Sequence, residues 1–529
     1  MKRLWLSLGR LFPPERRRHA LAMLVVLVVA FAIRARNIQG SLPYCLHVDE
    51  STWSSIALRI LRTGDANPHR FRKPSLPVYL MTAGFSVGLV HAQLSGQARH
   101  AVDLGLETTP YYRVPSAALP PKLLFALASV LALGLAGWVG AALTGRVALL
   151  WLTPLVASVS SSYLRLSWSY MDVDVIGTFF IWTTLAYLVR ARVRGLSLTS
   201  GPGWLPRFLT LGALAGLAVG SKYNLFPILV PCVLYLVLFE RATWLRRSVL
   251  LGAVAVAVFF ATTPFALVTP GEFIADVLKE ARHYATGHNH VAIPRGLLLW
   301  KHVAHFADNF GVLPLFLSLV GVALCFRHDA RLSLVVFSYA VVFVAYMSLQ
   351  HVFFERNVMA LHLLVALALA LAVLELPGVL AAAALARWPR LSGSRPRALS
   401  FALVLGLTLF GLPWSRVANA YSTDSDTRNR ATVWLARKLR KKTLVIIDSQ
   451  LQMDSRPLRK LARVKTLDAV KEAARVQALA GAKHLFVVTL VGDRAAFESA
   501  LGGLRQRAQF GSKLQPNEPG SPSLVILGR

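Results

Sequence analysis

The sequence has few acidic residues, few charged residues of any kind and very few cysteines. Of its 529 residues only 25 are Asp or Glu and 16% are charged, whereas 55% are hydrophobic. So little charge cannot cover the surface of a water-soluble globule of this size, which excludes an ordinary soluble protein. Cys45, Cys232 and Cys325 are too few to form a disulfide framework. The composition therefore predicts a membrane protein.

The basic residues greatly outnumber the acidic ones, and the formal net charge is +33. In a soluble protein this charge would indicate nucleic-acid binding, but here the arginines lie mainly in short segments between apolar stretches. Such segments resist translocation and are expected in the cytoplasm. This rule predicts a polytopic α-helical protein of about eleven to thirteen crossings, with residues 1–19 cytoplasmic and residues 20–415 as the transmembrane part. The crossings are expected near 20–33, 117–144, 147–163, 174–189, 208–220, 224–239, 248–264, 309–326, 332–348, 357–376 and 399–414.

Two long segments, 35–116 and 265–308, are predicted to lie outside. The moderately apolar stretch 76–94 would export most arginine clusters if it crossed, so we expect it at the interface. From residue 416 to 529 helical and strand-like patterns alternate, which predicts a small extracytoplasmic α/β domain. Its helices are expected at 427–440, 467–480 and 493–505, and its strands at 443–448, 485–490 and 524–528. The composition is typical of a bacterial inner membrane protein.

An acidic pair, Asp49 and Glu50, follows the first apolar stretch. Adjacent carboxylates at a membrane cavity can repel each other, so that one remains ionised as a general base. Alternatively, Asp49 caps a helix that starts near Ser51, and Glu50 lies in its favourable first turn. The residue chemistry supports the two interpretations equally.

Basic residues at 69–73 lie in the same exported segment. They suit the phosphate of a lipid-linked substrate, although headgroup attraction explains them without a specific ligand and is slightly favoured on chemistry alone. Lys222 and Arg356 each lie beside a crossing, where a basic side chain can also simply extend to the interface.

A D-x-D pair, Asp172 and Asp174, begins one crossing. It suits a divalent metal that holds a diphosphate, but acids at a helix N-terminus are the favoured explanation for at least one of the two. The histidines of 265–308 lack the regular spacing of a helical zinc site and indicate a metal only weakly. They are His283, His288, His290, His302 and His305.

Together these residues resemble the GT-C class of membrane glycosyltransferases, in particular the branch that contains protein O-mannosyltransferases and the lipid A aminoarabinose transferase. The resemblance covers most of the chain, and seven motifs occur in family order after a matching first helix. They are His47-Val48-Asp49-Glu50, Lys73-Pro74-Ser75-Leu76, Arg113-Val114-Pro115-Ser116-Ala117, Asp174 with Phe179-Phe180, the segment from Gly216 to Lys222, Arg356-Asn357, and Asp426-Thr427-Arg428 followed by Trp434.

The resemblance implies a polyprenyl-phosphate-linked sugar donor and an inverting transfer to an extracytoplasmic protein, glycan or lipid. It implies that Asp49 is the catalytic base and that Glu50 supports it. The donor phosphate would be bound by Lys73, Arg113, Lys222 and Arg356, and the substrates would be positioned by His47 and Asp174. The branch generally needs no metal, so neither a metal nor another cofactor is expected.

One departure from the branch concerns Arg72, which stands where the aminoarabinose transferases have an acidic residue and which counts against their substrate. The alternative function is a secondary transporter or flippase of a lipid-linked or anionic substrate, because many crossings with buried charge also describe transporters. No internal repeat is visible in the sequence, and the polar residues gather on one side, which favours the enzyme. The expected partners are the donor, the acceptor and membrane lipids, and not nucleic acid.

Overall fold

The structure, a computed structural model, describes residues 14–107, 109, 111–287, 292–387, 395–421, 426–439, 443–468, 472–479, 482, 484–490, 493–501, 504–510 and 523–528. His288, His290 and the basic residues before Pro14 lie outside this part of the chain. The α-helices are Pro14–Ser41, Val48–Thr63, Leu76–Leu94, Leu119–Thr144, Leu149–Ala157, Ser161–Ser169, Val173–Val193, Trp204–Ser221, Leu229–Phe239, Trp244–Thr262, Phe265–Val268, Pro270–Thr286, Arg295–Phe310, Val312–His328, Ala330–Ser348, Met359–Arg387, Arg395–Gly411, Trp414–Tyr421, Thr427–Lys438, Arg456–Arg459, Ala473–Gln477 and Arg494–Leu501.

Within the described residues, seven helices are long and apolar enough to cross a membrane. The count is eight if the pair Arg295–Phe310 and Val312–His328, which is bent by 106°, forms one span. Two shorter apolar helices are Tyr223–Phe239 and Pro396–Gly411. The chain is therefore a multi-pass membrane protein, and the predicted class, a polytopic α-helical protein with a small C-terminal α/β domain, is confirmed. The described residues give seven or eight such spans where eleven to thirteen crossings were predicted. The seven spans are Arg17–Ser41, Pro115–Thr144, Val173–Val193, Trp204–Ser221, Arg241–Thr262, Ala330–Ser348 and Glu355–Arg387.

The predicted crossing at 147–163 is not one continuous helix. Helix Leu149–Ala157 contains Pro154, and a second helix, Ser161–Ser169, starts after a break. Proline removes a backbone donor from the helix, and Ser160 caps the second helix by accepting a hydrogen bond from the Tyr163 backbone N–H at 3.3 Å. The stretch 76–94 forms the single helix Leu76–Leu94, which is not among the seven spans.

Close helix packing depends on glycine at one crossing of two helices. A Cβ atom at Gly321 would lie 1.8 Å from the carbonyl oxygen of Ala368, which no side chain tolerates. Helix Val312–His328 therefore approaches helix Met359–Arg387 backbone to backbone, as small residues allow in membrane proteins.

The chain divides into two compact units. The first comprises 1–35, 63–83 and 121–421 and contains most of the apolar helices. The second comprises 36–62, 84–120 and 422–529. The predicted outer loop 35–116 thus contributes residues to both units.

The second unit contains a five-stranded sheet, whose strands are β1 Leu444–Asp448, β2 Arg463–Leu467, β3 Leu485–Leu490, β4 Arg505–Phe510 and β5 Leu524–Gly528. Their order is β2-β1-β3-β5-β4, in which β1 is parallel to β2 and β3, and β5 is antiparallel to β3 and β4. Side chains alternate along β1: Leu444 and Ile446 lie in one apolar core, and Val445 and Ile447 lie in a second core on the opposite face. A central strand covered on both faces is apolar throughout, which is why the sequence identified it.

The sequence did not identify β2 and β4, the two edge strands. Both carry basic residues, Arg463 and Lys465 in β2 and Arg505 and Arg507 in β4, as edge strands often do because charge discourages pairing with other chains. Their polar residue patterns are similar to those of loops, so the sequence does not distinguish these two strands from loops. The helix predicted at 467–480 is reduced to Ala473–Gln477 within the described residues.

Candidate functional site

Lys222 lies in extended backbone directly after helix Trp204–Ser221. Its side chain is buried, and Nζ donates to Asp174 Oδ2 and to Asn357 Oδ1, each at 2.6 Å. An ammonium group has three donors, so within the described part of the chain these two bonds leave one N–H for a ligand. The structure thus brings together residues from three of the motifs that carry the resemblance.

Arg356 completes a cluster of four charged side chains, which are Lys222, Arg356, Asp172 and Asp174. Its Nε lies 3.8 Å from Asp172 Oδ2 and 4.0 Å from Asp174 Oδ2. Asp172 caps helix Val173–Val193 by accepting a hydrogen bond from the Asp174 backbone N–H, so the helix-terminus interpretation is confirmed for Asp172. Two cations balance two carboxylates here. Among the described residues, no group of three or more His, Cys, Asp and Glu side chains is arranged to hold a metal ion.

A cavity of about 320 Å³ lies in the first unit, beside this cluster. Lys73 and Lys222, the two lysines predicted to bind phosphate, both line it. Three tyrosines, Tyr223, Tyr284 and Tyr346, also line it. Their amphipathic phenol rings are well suited to an apolar site with a polar end. The cavity therefore combines cationic groups with aromatic walls. Its other lining residues are Asn224, Val277, Glu280, Ala281 and Gln350.

Helix Pro270–Thr286 carries three carboxylates, Glu272, Asp276 and Glu280, at a spacing of four residues. This spacing places them on one face of the helix. Each contacts the segment 69–73: Glu272 Oε2 lies 3.1 Å from His69 Nδ1, Asp276 Oδ2 accepts a hydrogen bond from the Phe71 backbone N–H at 2.7 Å, and Glu280 binds the basic residues 72 and 73. We call these three residues the carboxylate ladder.

The carboxylate ladder was not predicted, although the sequence contains a signal for it. Only 25 residues of the chain are acidic, and three of them recur here at one helical face. In a chain with so few carboxylates, such a row predicts a basic or donor-rich partner segment.

Lys73 lies at the end of the docked segment, and its Nζ donates to Glu280 Oε1. Arg72 Nε donates to the other carboxylate oxygen of Glu280 at 3.2 Å. Burial opposes ionisation of Glu280, but the charges of Lys73 and Arg72 outweigh it and hold the pKa of Glu280 below its ordinary value. The Lys73 ammonium also lies 5.9 Å from the centroid of the Tyr284 ring.

In the second unit, helix Val48–Thr63 begins three residues earlier than the sequence predicted. His47 precedes it, and His47 Nδ1 accepts a hydrogen bond from the Asp49 backbone N–H at 3.1 Å. The alternative interpretation, in which Asp49 caps a helix that starts near Ser51, does not match this helix start, whereas Glu50 does lie in the first turn. The Asp49 side chain is 37% exposed, and its Oδ2 lies 3.8 Å from His47 Nδ1.

Glu50 is fully buried, in contrast to Asp49. Tyr112 Oη donates to Glu50 Oε1 at 2.9 Å and lies 3.0 Å from Ser54 Oγ. The two neighbouring acids thus have different surroundings, one accessible and one held inside. Tyr112 was not among the predicted site residues, and its position directly before the Arg113 motif was the only signal for it.

Arg113 is exposed, and its backbone is fixed on both sides. Its N–H donates to the carbonyl oxygen of Leu104 at 3.0 Å, and its own carbonyl oxygen accepts a hydrogen bond from Arg456 Nη1 at 3.1 Å. The C-terminal part of the chain therefore contacts the exported segment that carries Arg113.

A second such contact involves the last motif of the resemblance. Arg428 forms an ion pair with Asp426, and its guanidinium carbon lies 3.8 Å from the centroid of the Tyr44 ring. The backbone N–H of Asp454 donates to Tyr44 Oη at 3.1 Å. Burial raises the pKa of Tyr44 above its ordinary value. These contacts hold the residues that precede Asp49 against the C-terminal domain.

One of the predicted loop histidines, His305, belongs to a buried hydrogen-bonded group in the first unit. His305 Nε2 lies 3.0 Å from His362 Nε2, and His362 Nδ1 lies 2.7 Å from Ser160 Oγ. His302 Nδ1 bonds instead to the carbonyl oxygen of Leu298 at 2.7 Å. Each of these three imidazoles is hydrogen-bonded to a protein group, which is the ordinary state of a buried histidine.

Comparison with known proteins gave structural neighbours only. No protein-family model and no curated protein match the sequence. The structure is similar to ArnT from Cupriavidus metallidurans bound to undecaprenyl phosphate, at 15% identity and a TM-score of 0.49, covering 96% of this chain and 97% of that one. ArnT is a lipid A aminoarabinose transferase.

The structure is also similar to the Archaeoglobus fulgidus oligosaccharyltransferase in its apo form, at 13% identity and a TM-score of 0.48, covering 91% of this chain and 71% of that one. A third similar structure is AglB from the same organism with an inhibitory peptide and dolichol-phosphate, at 13% identity and a TM-score of 0.48, covering 80% and 62%. ArnT and AglB are both GT-C glycosyltransferases.

Proposed function

We propose that this protein is a membrane glycosyltransferase that takes a sugar from a polyprenyl-phosphate-linked donor and transfers it, with inversion, to an extracytoplasmic acceptor. The observation that carries the proposal is the cavity lined by both Lys73 and Lys222 within a multi-pass membrane protein. A phosphate attached to a lipid needs cationic groups close to the membrane, and ionisable residues near spans mark such sites.

The two lysines bind the donor phosphate, and Arg356 adds a third charge beside them. When the glycosidic bond to phosphate breaks, negative charge grows on the leaving oxygen, so fixed cations stabilise the transition state more than the ground state. Asp174 positions the Lys222 ammonium through its 2.6 Å hydrogen bond. Arg113 is a further phosphate contact in this proposal.

Asp49 is the proposed catalytic base. The acceptor oxygen attacks the anomeric carbon, its proton passes to the Asp49 carboxylate, and the polyprenyl phosphate leaves with the bonding electron pair. The accessibility of the Asp49 side chain supports this role, since a base must reach an acceptor that enters from solvent. Glu50 and His47 shape and orient the turn that carries Asp49. The acceptor is a protein, a glycan or a lipid.

We also propose that the reaction uses no metal or other cofactor, because the lysines and Arg356 supply the positive charge that a metal would otherwise provide. Transfer activity should then be unchanged by excess EDTA. Activity that is lost with EDTA and restored by one divalent cation would contradict this part of the proposal.

The test of the function uses the purified protein and a polyprenyl-phosphate sugar with a radiolabelled sugar. Lys73→Met should lower donor turnover by roughly 100-fold, the scale seen when one transition-state donor is removed. Lys279→Met is the matched control, because Lys279 is exposed on the same helix as Glu280 and does not line the cavity. Wild-type turnover by Lys73→Met would contradict the proposed site, and sugar uptake into vesicles without transfer would indicate a transporter.

The proposed location is the bacterial inner membrane, with the N-terminus in the cytoplasm and the carboxylate ladder outside. The basic clusters support this orientation. A membrane-impermeant thiol reagent applied to intact cells should label Lys279→Cys and not Arg194→Cys, since both positions are exposed and the three native cysteines are buried. The reverse labelling pattern would overturn the orientation.

A further inference from the structure

The cavity of the first unit contains one anionic group that the proposed reaction does not use, Glu280. Its carboxylate faces Lys73, a cation expected to bind the donor phosphate, and both side chains are almost completely enclosed, at 11% and 12% exposure. A phosphate that approaches Lys73 therefore meets a carboxylate already bound there. Since like charges repel in such a site, the Glu280 carboxylate and the phosphate cannot both keep a close ion pair with Lys73.

The segment that carries Lys73 does not depend on Glu280 for its position. The Phe71 backbone N–H donates to Asp276, and the Phe71 carbonyl oxygen accepts a hydrogen bond from Tyr223 Oη at 2.7 Å. His69 contacts Glu272, and the Ser75 backbone N–H donates to Thr263 Oγ1 at 3.3 Å. Four contacts on both sides of Lys73 thus hold the segment in place. The segment should therefore keep its position when the ion pair between Lys73 and Glu280 is broken.

Lys222 differs from Lys73 in this respect. Its carboxylate partner, Asp174, lies at the N-terminus of a membrane span and does not line the cavity. Glu280 lines the cavity directly. Of the two lysine–carboxylate pairs, only the one with Glu280 has its anion where a ligand phosphate would bind.

We infer that Glu280 is a built-in competitor of the donor phosphate: its carboxylate occupies Lys73 when the cavity is empty, yields to the phosphate when the donor binds, and returns when the polyprenyl phosphate leaves. The inference rests on the proposed function, and it assigns to Glu280 the control of donor affinity and product release. It follows from competition that removing the charge of Glu280 strengthens phosphate binding. A purely structural Glu280, which only orients Lys73, would have the opposite effect.

The experiment measures binding of sugar-free polyprenyl phosphate to the full-length protein in detergent micelles by isothermal titration calorimetry. Glu280→Gln, which keeps the size and removes the charge, should lower the dissociation constant by about tenfold. Glu280→Asp keeps the charge and should remain within about threefold of wild type. Asp308→Asn is the charge-matched control, because Asp308 forms an exposed ion pair with Arg416 and does not line the cavity.

Turnover gives a second readout. In the presence of acceptor, Glu280→Gln should lower the KM for the donor and also lower kcat, because the product phosphate is no longer displaced. If Glu280→Gln binds polyprenyl phosphate as weakly as wild type, or more weakly, the inference is wrong while the proposed function stands. If wild type, Glu280→Gln and Asp308→Asn all fail to bind polyprenyl phosphate, the proposed function and the inference fall together. A Glu280→Gln protein that does not fold is replaced by Glu280→Ser, for which the same tightening is expected.

Discussion

Replacement of Lys222 by methionine tests the buried charge cluster and the proposed site together. The change removes an ammonium that is 3% exposed and leaves Asp174, 2% exposed, without its closest partner. The cluster of two cations and two carboxylates then carries one net negative charge in a buried place. Removal of one member of a buried pair typically costs about 3 to 5 kcal/mol.

The structure sets the expected value near the lower end of this range. Arg356 remains 4.0 Å from Asp174, and Coulomb's law with an effective dielectric constant of about 20 gives about 4 kcal/mol of attraction at that distance. We therefore expect Lys222→Met to lower the free energy of unfolding by about 3 kcal/mol. The double variant Lys222→Met/Asp174→Asn restores neutrality, so its cost should fall to about 1 kcal/mol, the value of the lost hydrogen bond to Asn357.

The assay is denaturant titration of the purified protein in micelles, combined with donor turnover. The double variant should recover stability but not activity, because the ammonium that binds phosphate is still absent. A double variant that is as unstable as Lys222→Met would refute the charge argument. A stable double variant with wild-type turnover would refute the role of Lys222 in donor binding.

Three further outcomes are expected. Asp49→Asn should abolish sugar transfer and leave polyprenyl phosphate binding and stability close to wild type, because the side chain is accessible; transfer at the wild-type rate would exclude Asp49 as the base. Tyr112→Phe removes a donor from the buried Glu50 carboxylate and should lower the free energy of unfolding by about 1.5 to 3 kcal/mol. Tyr111→Phe is the control, and equal stability of the two variants would argue against this hydrogen bond. Because the ion pairs hold the pKa of Glu280 below its ordinary value of 4.5, its contribution to stability is complete above pH 4.5 and is lost as the pH falls through the lower folded-state pKa. The stability difference between wild type and Glu280→Gln should accordingly narrow below pH 4.5, and a difference that grows there would show the opposite shift.

Part of the candidate site could be predicted from the sequence. Lys73, Lys222 and Arg356 belong to ordered motifs, and the structure places the two lysines on one cavity and Arg356 beside Lys222. The alternative interpretation of Asp49 placed the helix start three residues late, because a histidine rather than an aspartate side chain accepts a hydrogen bond from the first turn. Glu280 and Tyr112 were missed, because each acts through a partner that is distant in sequence.

Composition and the apolar runs by themselves determined that the chain is a multi-pass membrane protein, since length and hydropathy decide what a bilayer accepts. The continuous apolar strands of the C-terminal domain were also readable, because burial on both faces leaves a local pattern. The edge strands β2 and β4 could not be predicted, since the charged residues of an edge strand give the same polar pattern as a loop. Only the tertiary structure decided which charges meet. The pairing of Lys73 with Glu280 and of Lys222 with Asp174 depends on which helices pack together, and no local pattern in the sequence records that choice.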